Sequence, residues 1–544
     1  MPNMAFFARA ILLATLLLGQ AAAADDPVAW WRFDAEVDGQ IPDAVSGQLD
    51  ELSGKQRFID AVVGKGMVFD GYTTLVSRAA EHAPTLSGDL TIECWVAIAA
   101  YPWNRVPVIS HEGHNGKGYS VGIGPRGALN FRASINGVPQ EIQTQDFRLP
   151  LNEWTHIAAR FDMQSGLALL INGEQVASRP SPRDPGQRGR TPNYRIESAG
   201  NTKLLIGGVR NATRPVDYHR FEGTRPAYFS LEGALDDLKL YASARSNREI
   251  AASFAAASPA DSPFAARLMP SGPPGTAPFG AYLTTLDYHP EWDALWQVGP
   301  HADLLVRFDQ SPARVVFWRG TQYSPAWVSE NNLWMADQSV EGYDEDYTWE
   351  HMNDKQNRFS HVRLIEQTDA RVVVHWRYAP VDVHGKVLGE NSRNHPGAWI
   401  DEYYTFFPDA TGIRQVSWQR GALPQPIQFQ ESIPLAHPGQ VQGDIVHEDY
   451  ATVGNLLGET QTLSYVEKPG TSSRSAPADL VVQMHHFKSD QKPFIIFESG
   501  NNMGYLRDMD KRSLRRPGSS SHWPVAQIPS DGRTTQARDR ASSF

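Results

Sequence analysis

The chain has 544 residues, a hydrophobic fraction of 41%, a charged fraction of 20% and a formal net charge of -11. These fractions are those of globular proteins, which excludes wholesale disorder and fibrous repeats, and the length calls for two or three domains because one core serves about 100 to 250 residues. The acidic balance argues against a general nucleic-acid binder, whose domains are basic, and the single cysteine, Cys94, excludes an intrachain disulfide and a cysteine-cluster zinc site.

Residues 1–24 read as a signal peptide: Arg9 gives a positive start, Ile11 to Leu18 an apolar core, and Ala22, Ala23 and Ala24 a small-residue cleavage site. The mature chain is expected to begin at Asp25 in a periplasmic, cell-surface or extracellular setting. The apolar core is shorter than the about 20 residues that cross hydrocarbon, and no later stretch reaches that length, so no stable membrane insertion is expected.

Residues 26–256 consist of short alternating or apolar runs broken by turn residues, among them LTIECWVAI, ALNFRASING, WTHIAARFD and LALLINGEQVAS. This spacing predicts an all-β sandwich. The pairs Asn136-Gly137 and Asn172-Gly173 supply the positive φ angles of tight hairpin turns. Cys94 in TIECWV belongs to a buried strand, where a thiol is inert. The segment NREIAASF predicts one short closing helix, capped near Ser246 or Asn247.

A linker rich in proline, glycine and serine occupies residues 257–278. Residues 279–544 are again rich in strand patterns: ADLLVRF, ARVVFW, SHVRLIEQ, ARVVVHWRYAPV, AWIDEYYTFF, IRQVSWQ, LVVQMHHF and PFIIFES. The fold class is therefore all-β, a jelly-roll sandwich followed by a second domain of β-sandwich type. No closing element follows SDGRTTQARDR, so the second domain is read as open to being incomplete.

The run of AWWRFD, VGKGMVFDG, LTIECWVAI, NEWTHIAARFD, LLINGEQV and EGALDDLKLYASARSNREI resembles the laminin-G-like, or concanavalin-A-like lectin and glucanase, superfamily. The resemblance implies a jelly roll but no single function. The E-x-D-x-x-E arrangement of a glucanase of this superfamily is missing, so hydrolysis by this unit is not expected. Asp236 and Asp237 offer a structural calcium site, opposed by the fact that adjacent strand residues point to opposite faces; no other metal or cofactor is expected.

The second unit resembles the β-rich domains of exported polysaccharide lyases of the ulvan-lyase type, through EHMNDKQNRFSHVRLIEQTDARVVVHWRYAP, DEYYTFFPDATGIRQVSWQ and FESGNNMGYLRDMDKRSLRRPGSSSHWPVAQIPSDGR. That resemblance implies β-elimination on an acidic, uronate-containing and optionally sulfated polysaccharide. Such chemistry needs a cation or amide on the sugar carboxylate, a base for the neighbouring proton and an acid for the leaving oxygen.

His361 and Arg363 lie two residues apart, hence on one strand face and about 7 Å apart, as a base and a carboxylate clamp would; the alternative is a solvated polar face. Tyr403 and Tyr404 point to opposite faces, so one belongs in a site and the other in the core, and Tyr404 is the candidate. His485 and His486 alternate in the same way, and no H-E-x-x-H pattern marks a zinc site. Arg512, Arg515 and Arg516, followed by His522 and Trp523, form a basic run that can grip a polyanionic sugar, with Trp523 as stacking platform and His522 as a further catalytic candidate; the alternative is a solvated charge run. Two rivals to the lyase remain open: a glycan-binding or adhesion protein without turnover, and a glycoside hydrolase using Asp401 or Glu402 with a distant carboxylate.

Overall fold

The computed structural model describes residues 26–71, 73–102, 105–124, 127–181, 194–208, 230–258, 261–266, 268–287, 301–343, 348–354, 357–382, 385–391, 393, 395–422, 427–435, 437, 440, 442–465 and 477–500. The predicted signal peptide and the basic run containing Arg512, Arg515, Arg516, His522 and Trp523 lie outside them.

Two eight-stranded antiparallel sheets form the first unit. One runs in the order Glu174–Arg179, Gly166–Ile171, Trp154–Asp162, Leu90–Ile98, Glu232–Tyr241, Lys65–Asp70, Phe58–Asp60, with Ala29–Trp31 also paired to Glu232–Tyr241. The other runs Val138–Gln143, Leu129–Ile135, Gly118–Ile123, Val106–Glu112, Leu204–Ile206, Leu75–Arg78, Leu49–Ser53, Gln40–Pro42. Strands distant in sequence are neighbours in both, which is the jelly-roll arrangement. Alternation directs Ile92, Cys94 and Val96 of one sheet and Val121, Phe131 and Ala133 of the other into a single core.

Asn172 and Gly173 have φ angles of 49° and 80°, and Asn136 and Gly137 repeat these values, so both hairpins close on left-handed pairs as their sequence demands. The strand Leu90–Ile98 is buried on both faces, because Trp95 and Ala97 turn outward beneath Phe254 and Phe264. Phe254 comes from the helix Asn247–Ala255, which Ser246 and Glu249 start with a reciprocal capping box. Cys94 is buried, and burial pushes its thiol well above the ordinary cysteine value.

The second unit is built on a sheet ordered Gly280–Thr284, Asp303–Arg307, Arg314–Phe317, Pro325–Val328, Trp334–Tyr343, Thr348–Trp349, with Ile427–Leu435 also paired to Trp334–Tyr343. Leu304, Val306 and Phe317 on one face meet a four-stranded sheet ordered Ser360–Gln367, Val372–Tyr378, Trp399–Phe406, Gly412–Gln419. Further along the central sheet, Leu333 and Met335 meet a second four-stranded sheet made of Thr460–Ser464, Val446–Asn455, Leu480–Phe487 and Phe494–Ile496. The opposite face buries Trp318 and Trp334 with Met269 and Met352. No helix among the described residues is long and apolar enough to cross a membrane.

Candidate functional site

Strand alternation creates the site. Val374, Trp376 and Tyr378 of one strand, with Ile400, Tyr404 and Phe406 of the next, are spent on the core, so His375, Arg377, Asp401 and Tyr403 occupy the outer face of the sheet. The edge strand Ser360–Gln367 adds His361 and Arg363 to that face. Its register sets His361 opposite Arg377 and Arg363 opposite His375, and the next pairing sets Arg377 opposite Asp401 and His375 opposite Tyr403.

Hydrogen bonds tie these side chains into one network. Arg363 Nη2 meets His375 Nδ1 at 2.8 Å, His375 Nε2 meets Asp401 Oδ1 at 2.7 Å, and Arg377 Nη1 donates to both Asp401 oxygens at 2.8 Å. The Tyr403 ring stacks on His375, with centroids 4.5 Å apart and planes 11° from parallel. The Arg377–Asp401 pair is partly solvent-exposed and contributes only about 0–1 kcal/mol to stability, so its consequence is placement.

An open cleft of about 590 Å³ runs along the edge strand, lined by Leu283, His301, Ala302, Tyr323, His361, Val362, Arg363 and Arg377. Tyr323 enters it from the core side on a turn of unusual backbone. After the 3-10 turn Arg319–Thr321, Gln322 and Tyr323 both take left-handed conformations, with φ of 54° and 60°. For residues with a Cβ each such conformation costs about 1–3 kcal/mol and persists only where surroundings enforce it.

Here the enforcement is visible. Asp303 is buried and accepts from the Arg319 guanidinium, from Arg319 N at 2.7 Å and from Leu286 N at 2.7 Å, while Trp376 Nε1 donates to Gln322 O at 3.1 Å. Burial nonetheless pushes the Asp303 carboxyl up to about 6.

The Tyr323 side chain is 1% exposed, and its hydroxyl has no hydrogen-bond partner of normal geometry among the described residues, Asn357 being the polar side chain beside it. Burial, with the charge of Asp303, pushes this phenol up, which keeps it protonated. His361 moves the other way: partial burial first, then His301, Arg363 and Arg377, hold its imidazole below the ordinary histidine value and so favour the neutral base. The His301 ring lies edge-on to His361 with centroids 6.2 Å apart.

The cleft thus brings together two of the residues read from sequence, His361 and Arg363. Tyr404 is not in it: its side chain is 7% exposed, its hydroxyl donates to Glu402 Oε2 at 2.6 Å, and its ring sits edge-on to Phe317 at 5.5 Å. Glu402 is fully buried between Tyr378, Tyr404 and Arg414, and Asp401 is engaged by His375 and Arg377, so neither carboxylate is placed as an open acid for hydrolysis. His485 is buried and far below its ordinary value at about 3, because burial opposes its charge; His486 is bound to Thr452 Oγ1 at 3.0 Å and Asp449 O at 2.7 Å.

Asp236 accepts from Val63 N at 2.7 Å, and Asp237 accepts from Trp30 Nε1 and Lys239. Among the described residues no group of three or more His, Cys, Asp or Glu is arranged to hold a metal ion. Three polar lining residues were missed. Arg377 carries a signal, since HWRY puts it on the face of His375; Tyr323 and His301 carry none, because each reaches the cleft through tertiary packing.

Residues 70–251 match a family model, Laminin_G_3, described as the concanavalin A-like lectin/glucanases superfamily, and this is the unit whose strands gave that resemblance. A search of curated proteins finds no match. Among solved structures, domain 4 of the GH43 extracellular arabinanase AbnA from Geobacillus stearothermophilus, in complex with arabinotriose, is 16% identical, with 42% of this chain and 98% of that chain covered and a TM-score of 0.30. The CBM40 of Ruminococcus gnavus IT-sialidase, bound to α2,3-sialyllactose, is 13% identical over 37% of this chain and 97% of that one, at a TM-score of 0.25. The binding domain of botulinum neurotoxin serotype G is 10% identical over 76% and 82%, at 0.31. Likenesses of this size carry no inference about what this chain does, and the resemblance of the second unit to ulvan-type lyases has no counterpart among them.

Proposed function

We propose that this is an exported, carbohydrate-active protein whose second unit cleaves an acidic, uronate-containing polysaccharide by β-elimination. The observation that supports this reading most is the convergence on one cleft of a histidine whose neutral form is favoured, two arginines and the buried Tyr323 hydroxyl beside Asn357. Arg363 and Arg377 hold the sugar carboxylate and stabilise the charge that grows on it. His361 takes the proton from the carbon bearing that carboxylate. The electron pair forms a double bond to the adjacent ring carbon, whose bond to the glycosidic oxygen breaks, and Tyr323 gives its proton to the departing oxygen. These steps need no cofactor, and a calcium ion at Asp236 and Asp237 stays a structural proposal for the first unit.

A second reading, glycan binding without turnover, is favoured by one observation: the first unit matches a superfamily that includes lectins. Incubating the mature protein with a panel of uronate polysaccharides separates the readings. Absorbance from unsaturated products that disappears in His361→Ala supports elimination; new reducing ends without that absorbance mean hydrolysis; binding with neither means a lectin.

A further inference from the structure

The cleft arginines are not independently placed. We propose that Asp401 is a positioning residue that sets both of them, Arg377 by direct contact and Arg363 through His375, so that one carboxylate fixes the spacing of the two cations that grip an acidic sugar. This rests on the reading of the cleft as an acidic-glycan site.

The direction of each hydrogen bond carries the argument. A guanidinium has donors only, so His375 Nδ1, 2.8 Å from Arg363 Nη2, must present its lone pair. The ring proton is then on Nε2 and is donated to Asp401 Oδ1 at 2.7 Å. Both ring nitrogens are engaged, and the Tyr403 ring, 4.5 Å away and nearly parallel, covers one face, so His375 is 3% exposed at its side chain and has no nitrogen left for substrate. Its role is to transmit the orientation of Asp401 to Arg363. Arg377 reaches the same carboxylate with Nη1 placed 2.8 Å from each oxygen, while its side chain, 37% exposed, continues into the cleft. Remove the anion and two like charges on adjacent strands share a small surface without the counter-charge that now joins them.

The test uses the full mature chain and two measurements. The first is the rate of phenylglyoxal modification at each arginine, mapped by mass spectrometry, which needs no ligand. Asp401→Asn is expected to speed modification of both Arg363 and Arg377 severalfold, His375→Ala to speed Arg363 alone, and Glu366→Gln, at the far end of the same edge strand, to change neither. Unchanged rates at both arginines in Asp401→Asn overturn the proposal, and so does an effect of His375→Ala on Arg377 equal to that on Arg363. Should Asp401→Asn fail to fold, His375→Ala and His375→Asn, which keeps an acceptor near Nδ1, decide it: Asn restores the slow rate at Arg363 and Ala does not.

The second measurement is turnover and affinity on polygalacturonate and the other uronate polysaccharides. A KM raised roughly tenfold in Asp401→Asn, with kcat lowered alongside it, is expected from misplacing cations that both hold the sugar carboxylate and stabilise its growing charge. A kcat loss with unchanged KM overturns the positioning role. A wild-type chain that binds no acidic glycan sinks the functional reading, while the modification rates still decide the anchoring.

Discussion

His361 stands directly opposite Arg377 across the antiparallel pair of strands Ser360–Gln367 and Val372–Tyr378. Partial burial first, then the neighbouring His301, Arg363 and Arg377, disfavour its protonated form and hold its imidazole below the ordinary histidine value. A base must be neutral to act, so activity rises with pH through this lowered value. Arg377→Met removes one of the opposing charges and is expected to move the acid limb of the kcat/KM profile to higher pH. A profile whose acid limb stays in place would detach His361 from the rate.

Tyr323→Phe removes a hydroxyl that makes no hydrogen bond of normal geometry among the described residues, so the folded state loses almost nothing and the melting temperature should hold. Loss of a positioned acid costs about 10²–10⁴-fold in rate. Steady-state kinetics on the same polysaccharide, beside a thermal melt, checks both halves. Full activity in this variant removes Tyr323 from the chemistry.

Tyr404→Phe should behave in the opposite way. Its hydroxyl satisfies a buried carboxylate, Glu402, alongside Tyr378 and Arg414, so deleting it costs about 1–3 kcal/mol of stability. Turnover per folded molecule is expected to remain within about threefold, since surface-remote core changes act through stability. Chemical denaturation and activity measured on the same preparation distinguish the two tyrosines.

How far the sequence reached depends on where each residue's neighbours come from. The hairpins at Asn136-Gly137 and Asn172-Gly173, the Ser246–Glu249 cap and the placement of His361 and Arg363 on one face follow from local rules of turn, cap and alternation. The choice between Tyr403 and Tyr404 does not, because alternation separates them without saying which face is inside. The packing of Phe317 against Tyr404 settles that, and Phe317 comes from another sheet. Tyr323 was beyond sequence reasoning for the same reason: its left-handed backbone is enforced by Asp303, Arg319 and Trp376, none of which marks position 323 as special. The strand Val446–Asn455 was missed because its polar run His447 to Asp449 obscures the period of two.

The first unit carries two buried groups whose protonation pulls stability in opposite directions. Burial first, then Lys239 and Arg245, lower His156 to about 4, while burial raises Asp236 to about 7 despite the Val63 amide that it accepts. For His156 the folded value lies below the unfolded one of about 6.5, so the unfolded chain takes up the proton first and stability falls as pH drops from 6.5 towards 4. For Asp236 the folded value lies above the unfolded one, so the folded state takes up the proton first and stability rises as pH drops from 7 towards 3.8. Over the shared window the two slopes oppose each other, each worth at most about 1.36 kcal/mol per pH unit. His156→Gln should therefore make the folded chain gain stability, relative to wild type, as pH falls from 6.5 to 4.5, and Asp236→Asn should make it lose stability over the same range. Calorimetric melts of the full chain at pH 4.5, 5.5, 6.5 and 7.5 read the slopes. Parallel curves for wild type and both variants would mean that neither group changes its proton affinity on folding.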